Sequence, residues 1–216
     1  MKRPWPPLVF LILGVLGGVA IALGYSSDQS RWATAVTAEV WAPTYQAAPR
    51  ASGLVTSWRA TLPGRPVSAG AAFGELAGAS GRERLLAPHA GTLVGSFGYQ
   101  GDLVQTGQEL ALVADLSRPY VLAYVDESDA GKLARGQTAD VTFASAPGKV
   151  IKGKVARIYP AVAEMIWPLP ALSSGQNFSK SAQWVPVRID FPQSAAVPRF
   201  LGMTASVRIA ISGGGS

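Results

Sequence analysis

Gly53-Leu54-Val55, Gly64-Arg65-Pro66-Val67, Gly70, Phe73 and Leu76 form one ordered set along the chain. Gly91-Thr92-Leu93, Gly101-Asp102-Leu103-Val104, Gly107, Leu110 and Val113 form a second that repeats it. Gly64 and Gly70 are six positions apart, as are Gly101 and Gly107. Phe73 and Leu110 each follow their glycine by three positions, and Leu76 and Val113 by six. Only the first gap differs, by one residue, and a proline (Pro49 or Pro88) precedes each half. The chemistry of the repeat is that of turns between strands. One glycine opens a strand, a second supplies φ > 0 at a tight turn, and a third turns the chain again. Two such units interleaved bury a shared core that neither could bury alone, which predicts a pseudo-symmetric β-sandwich.

Downstream, Tyr120–Val125 alternates and is rich in strand formers. Residues 127–135 (ESDAGKLAR) read as one or two helical turns ended by Gly136. Apolar runs follow at Ala139–Phe143, Val150–Tyr159, Val185–Phe191 and Thr204–Ile211. Five to six strands and one short helix predict a small barrel. Pro160–Trp184 breaks the pattern. It is long, proline-bearing and apolar, with Met165, Ile166, Trp167, Leu169, Leu172 and Phe178, whereas surface loops are shorter and more polar. Two readings stand: contact with a partner or the membrane surface, or a loop folded back over the barrel end. Ser212–Ser216 is a flexible tail.

Upstream, Leu8–Gly24 (LVFLILGVLGGVAIALG) is 17 residues without a charge. As a helix it would span roughly 26 Å, close to the hydrocarbon thickness. Leu8, Phe10, Leu11, Leu13, Val15, Leu16, Val19, Ile21 and Leu23 would face lipid as a membrane anchor. Lys2 and Arg3 precede it, so the positive-inside rule places the N-terminus in the cytoplasm and the rest of the chain outside. A cleaved signal peptide is the competing reading. Against it, the apolar core is long and the nearest Ala-x-Ala pattern, Ala33-Thr34-Ala35, lies well beyond its end. Gly14, Gly17 and Gly18 fit either a close helix–helix contact or tolerated lipid-facing glycines.

Composition excludes several classes of function. With no cysteine there are no disulfides, thiolate sites or cysteine nucleophiles, and one histidine, His89, argues against histidine-based metal sites and Ser-His-Asp triads. No P-loop or dinucleotide fingerprint occurs. The formal charge of +6 is scattered, with no basic run reaching five residues, so nucleic acid is not an expected partner. Asp126, Glu127 and Asp129 are the densest acidic group. They are expected at a helix N-terminus, where the helix dipole favours them, rather than on a cation.

Taken together in order, several motifs resemble the membrane fusion proteins, the HlyD-like periplasmic adaptors. They are Leu86-Ala87-Pro88-His89-Ala90-Gly91-Thr92-Leu93, Gly101-Asp102-Leu103-Val104, Asp115-Leu116-Ser117-Arg118-Pro119-Tyr120-Val121 and Val125-Asp126-Glu127-Ser128-Asp129. Gly136-Gln137, Pro147-Gly148-Lys149, Gly153-Lys154-Val155 and the closing Gly202-Met203-Thr204-Ala205-Ser206-Val207 complete the set. The resemblance covers roughly residues 40–211 and implies a lipoyl-like barrel-sandwich hybrid followed by a β-barrel. Typical members insert a long α-helical hairpin between the two half-motifs. Here only Ala77–Leu85 joins them, too short for a coiled-coil hairpin. Lipoyl and biotinyl carriers display a lysine at the same turn, but no lysine occurs between Lys2 and Lys132. A covalent cofactor carrier is therefore not expected.

The expected chain is mainly β. Residues 1–25 are cytoplasmic tip and transmembrane anchor, 26–45 a linker, 46–115 the lipoyl-like hybrid, 116–211 the barrel and 212–216 a tail. The expected function is a non-enzymatic adaptor or scaffold of an inner-membrane transport system (efflux or secretion), without cofactor or metal. The alternative is an accessory structural subunit of another membrane complex, such as a polysaccharide synthase or an energy-converting assembly. Expected partners are membrane lipid through the N-terminal helix, an integral membrane protein complex, and further copies of the chain. The expected location is the bacterial inner membrane, single-pass, with the main domain periplasmic or otherwise extracytoplasmic.

Overall fold

The computed structural model describes residues 32–59, 62–79, 81–160 and 183–211. The expected anchor, the apolar stretch carrying Met165, Ile166, Trp167, Leu169, Leu172 and Phe178, and the tail lie outside the described residues. Among the described residues no helix is long and apolar enough to cross a membrane. Chain contacts divide the molecule into two units. One comprises Glu39–Val121 with Phe191–Met203; the other comprises the residues up to Ala38, Leu122–Asp190 and those from Thr204. Their boundaries fall within β1 (Trp32–Trp41) and between the first residues of β10 (Tyr120–Asp126).

The first unit holds β2 (Thr44–Ala47), β3 (Gly53–Trp58), β4 (Pro66–Val67), β5 (Ala72–Gly78), β6 (Gly81–Leu86), β7 (Gly91–Ser96), β8 (Leu103–Val104) and β9 (Ala111–Ala114). They form two four-stranded sheets, ordered β2-β9-β7-β4 and β6-β5-β3-β8. The repeat is visible in this order. The pairs β2·β9 and β9·β7 in one sheet match β6·β5 and β5·β3 in the other, while the short strands cross over. β4 of the first half pairs with β7 of the second, and β8 of the second pairs with β3 of the first.

Backbone hydrogen bonds repeat with the same crossing. Gly64 N–H donates to Leu93 O (2.7 Å) and Leu93 N–H to Arg65 O (2.9 Å); Gly101 N–H donates to Val55 O (2.8 Å) and Val55 N–H to Asp102 O (2.8 Å). The turn glycines match in conformation too, Gly64 and Gly101 at φ 95° and 94°, Gly70 and Gly107 at 77° and 78°. Both strands following the opening glycines are bulged at equivalent places, between Val55 and Ser57 and between Leu93 and Gly95. The extra residue in the first repeat therefore lies between the bulge and Gly64, in the β3–β4 connection.

The opening glycines serve a different end from the turn glycines. A Cβ on Gly53 would stand 2.7 Å from Ala77 O, and one on Gly91 2.5 Å from Ala114 O. Each lets its strand approach the neighbouring backbone more closely than any side chain allows. Between the sheets, the core is assembled from matched positions: Val55 with Leu93, Phe73 with Leu110, Leu76 with Val113, Leu85 with Ala47. Phe73 and Leu110 are each 1% exposed.

The second unit is a closed barrel, β1-β10-β13-β12-β11-β14, with β11 (Thr138–Phe143), β12 (Val150–Ile158), β13 (Trp184–Asp190) and β14 (Ala205–Ala210). Alternation along β14 (Ala205, Val207 and Ile209 buried) and β11 (Ala139, Val141 and Phe143 buried) sends every second side chain inward. Five of its strands lie where the apolar runs predicted them. The sixth, β1, occupies a stretch expected to be linker. Its Trp32, Ala33 and Thr34 pair with Ala210, Ile209 and Arg208, closing the barrel. The connector expected at Ala77–Leu85 is also strand. β5 and β6 form a tight hairpin in register Gly78↔Gly81, with two residues in the turn. Edge strand β6 carries Arg82, Glu83 and Arg84, and charge on an edge hides a strand from an apolar pattern while guarding it from pairing with other chains. The helical stretch expected after Val125 is a single turn, α1 (Glu127–Ala130).

Candidate interaction surfaces

At the β5–β6 turn, the place where adaptors with a helical hairpin would carry it, the first unit ends in a shallow groove. Its floor is Gly53, Ala77, Gly78 and Ala79, and Leu54 and Leu103 stand over it. The register aligns Leu54 with Ala77 on one side and with Leu103 on the other, and Ala77 with Arg82. Leu103 is 81% exposed and Leu54 45%, so the row presents two leucines and an arginine to solvent. Ser52 Oγ accepts from Thr106 N–H (3.2 Å) and fixes the loop beside it. The turn carries no lysine.

Behind the groove the two halves use the same pair of positions in different ways. Glu83 on β6 accepts hydrogen bonds from the backbone N–H groups of Arg50 (3.0 Å) and Ala51 (3.3 Å) in the loop before β3. Tyr45 on β2 is its counterpart, since it pairs with Val113 as Glu83 pairs with Leu76. Tyr45 instead stacks on His89 in the loop before β7, with ring centroids 4.2 Å apart and planes within 5°. The chain's one histidine thus lies in the loop before β7 and serves as a packing surface. At the far end of β3, Trp58 packs over Gly98 and donates to Ser96 Oγ (3.2 Å), next to the exposed rings of Phe97 and Tyr99.

Two acidic turns are self-contained. Asp115 accepts from the Ser117 hydroxyl and backbone and from Arg118 Nε (2.7 Å). The Ser117 hydroxyl is the main cause of a carboxyl pKa below the ordinary aspartate value; burial opposes it and Arg118 adds to it. The folded state therefore binds this proton less readily than the unfolded chain. The stabilisation is complete above the ordinary value of about 4 and is lost as pH falls through the lower folded value. In urea titrations the difference in stability between the native chain and Asp115→Asn should be present at neutral pH and vanish in strong acid. A difference independent of pH would place the effect in the Asn side chain itself.

Asp126 caps α1 by accepting from Ser128 N–H (2.9 Å), and the Ser128 hydroxyl is the main cause of its lowered pKa. Glu127 and Asp129 sit in the first helical turn, where the dipole favours them, and Asp129 pairs with Lys132 at 2.7 Å. The acidic trio is thus accounted for by capping. None of the residues singled out from the sequence as anchor or partner contact is among the described ones. The groove and the Tyr45–His89 stack were missed. Leu103 was read as one more strand residue, and the stack is found only by aligning the two repeats.

Residues 120–165 match the family model described as the CusB-like β-barrel domain. MacA from Actinobacillus actinomycetemcomitans superposes with a TM-score of 0.68 at 16% identity, over 84% of this chain and 79% of that one. The membrane fusion protein Spr0693 of Streptococcus pneumoniae R6 superposes with a TM-score of 0.57 at 13% identity, over 82% and 99%. YhbJ of Bacillus subtilis (strain 168), named as an efflux system component, is 32% identical over 121 residues, 55% of this chain and 53% of that protein. The chain thus shares its fold with these solved structures, carries a match to the CusB-like β-barrel domain over residues 120–165, and is similar in sequence to an efflux system component. It matches about half the length of its curated relative. The two-residue β5–β6 turn stands where the sequence lacked a helical hairpin.

Proposed function

We propose that the chain is a non-enzymatic adaptor of an inner-membrane transport system, of efflux or secretion type, with no cofactor. The observation that carries this reading is a crossed hybrid and a six-stranded barrel of adaptor type in a chain with an efflux-system relative. Leu8–Gly24 anchors it in the membrane, Lys2 and Arg3 stay in the cytoplasm, and both β-units lie outside. Residues 1–25 are tip and anchor, 46–115 the functional extent of the hybrid and 116–211 that of the barrel. The apolar stretch from Met165 to Phe178 contacts the membrane complex. Further copies of the chain are partners, and nucleic acid is not.

One feature favours a second reading. The two-residue β5–β6 turn gives no reach toward a distant channel. An accessory subunit of a polysaccharide synthase or an energy-converting assembly would not need that reach. The test is purification of the full-length chain in mild detergent, with mass spectrometry of what accompanies it. A transporter among the partners supports the adaptor. A non-transport membrane enzyme in its place assigns the chain to the accessory class, and recovery of the chain in the soluble fraction overturns the anchor.

A further inference from the structure

The closed barrel has two ends, and the chain uses them differently. β1 pairs with β14, β14 with β11, β11 with β12 and β12 with β13, each time antiparallel. The first residues of β1, β11 and β13 and the last residues of β12 and β14 therefore share one end. β10 finishes there too, because the Glu127 N–H that follows it donates to Gln183 O, just before β13. The chain passes between the two units at Ala38–Glu39, Val121–Leu122, Asp190–Phe191 and Met203–Thr204. All four passages lie toward the opposite end of the barrel strands.

The end without passages is aromatic. Trp32 opens β1, Tyr159 follows the last residue of β12, and Trp184 opens β13. All three are half-buried. Tyr159 is fixed to the neighbouring strand by its N–H, which donates to Pro186 O (3.0 Å). Arg208 lies over the Trp32 ring at 5.3 Å and Arg157 over the Tyr159 ring at 5.9 Å. Rings with an apolar body and a polar edge suit a boundary that is apolar on one side and wet on the other. Tryptophan and tyrosine are accordingly enriched where a membrane meets water. The same end carries charges of both signs, Asp126, Glu127, Asp129 and Lys132 at α1 and Arg157 on β12. It therefore selects no lipid by headgroup charge.

We infer that this end of the barrel rests on the membrane–water interface, with Trp32, Tyr159 and Trp184 at headgroup depth. Chain connections select the bilayer over a further protein as the occupant. Trp32 follows Gly24, the end of the apolar anchor segment, by eight residues. A fully extended chain of that length reaches no more than about 28 Å, and it joins the barrel at this end. Residues 161–182, the second long apolar stretch, connect β12 to β13 at the same end. Both apolar stretches of the sequence thus attach to the barrel end that makes no passage to the other unit. The inference rests on the anchor reading above.

The chain has no cysteine, so a single introduced one is a unique probe. Gln183 lies exposed at the aromatic end, and Ser145 lies exposed in the β11–β12 turn at the other. Full-length Gln183→Cys and Ser145→Cys, each carrying a fluorophore, are placed in phosphatidylcholine nanodiscs containing lipid spin-labelled at the headgroup. Gln183 should be quenched at least threefold more than Ser145, whose turn stands roughly 20 Å away along the tilted strands. High salt should leave the contrast in place, because rings rather than charges make the contact. Tyr159→Ser with Trp184→Ser should at least halve the quenching at Gln183. Where that pair unfolds the barrel, the two-site contrast in the native background decides. Equal quenching at the two sites, or stronger quenching at Ser145, overturns the inference. A protein as the true occupant would leave Gln183 unquenched, since the discs hold no other protein. A chain that stays out of the discs overturns the anchor reading and the inference with it. A chain that enters them without the contrast overturns the inference alone.

Discussion

Phe73→Ala should destabilise the hybrid unit by about 3–5 kcal/mol, the cost of emptying a fully buried aromatic site. Phe73 is 1% exposed, sits between the two sheets among Val55, Leu76, Leu93 and Leu110, and has Trp58 at 6.5 Å between ring centroids. Its repeat counterpart in the same core is Leu110. Urea unfolding followed by tryptophan fluorescence reads the loss directly. A change below about 1 kcal/mol would mean that the core relaxes to close the cavity, and that the two sheets are less firmly fixed than their crossed pairing implies. Phe73→Leu, which restores the side chain found in the other half, should recover most of the stability.

A second large effect should follow from opening the chain between Ala79 and Ser80. The fragment ending at Ala79 contains β4 without its partner β7, and β3 without its partner β8. The fragment beginning at Ser80 contains β7 and β9 without β4 and β2, and a barrel without β1. Each strand left without a neighbour exposes backbone groups and one face of the core, and neither half buries enough apolar surface to offset its ordering entropy. Expressed alone, each fragment should fail to give native near-ultraviolet circular dichroism. Co-expressed, they should co-purify in mild detergent as a folded pair. A native signal from either fragment alone would show that the crossing is dispensable.

Much of this architecture can be read from the residues. Glycine spacing specified the repeat because the backbone demands it. Positive φ at Gly64, Gly70, Gly101 and Gly107, and close strand approach at Gly53 and Gly91, leave little else possible at those positions. Strands β10 to β14 stood out because apolar strand formers run along them, alternating in β11 and β14 and unbroken in β10, where Val121 to Val125 are all buried. β1 did not, because its inward residues include the small Ala33 and Ala38 while Val36 points outward and is 58% exposed, so its hydrophobic pattern runs against its burial. β6 was hidden by the charges that suit an edge. The surfaces were harder to see. A groove with a glycine and alanine floor has no sequence signal, because it depends on register, which sets Leu54 beside Leu103 across strands far apart in sequence.

The tight β5–β6 turn has a consequence for how such chains diversify. Gly78 and Gly81 face each other as strand partners, so the two ends of any segment inserted between them would start already side by side. An added segment whose own ends meet, such as a pair of antiparallel helices, would ask nothing of the core beneath it. Its entropic cost grows only slowly with length. Gain or loss of such an arm is then a single event that leaves both sheets as they are. This chain shows the socket with nothing plugged into it, and fusing a foreign helical arm there would lengthen the first unit in one step.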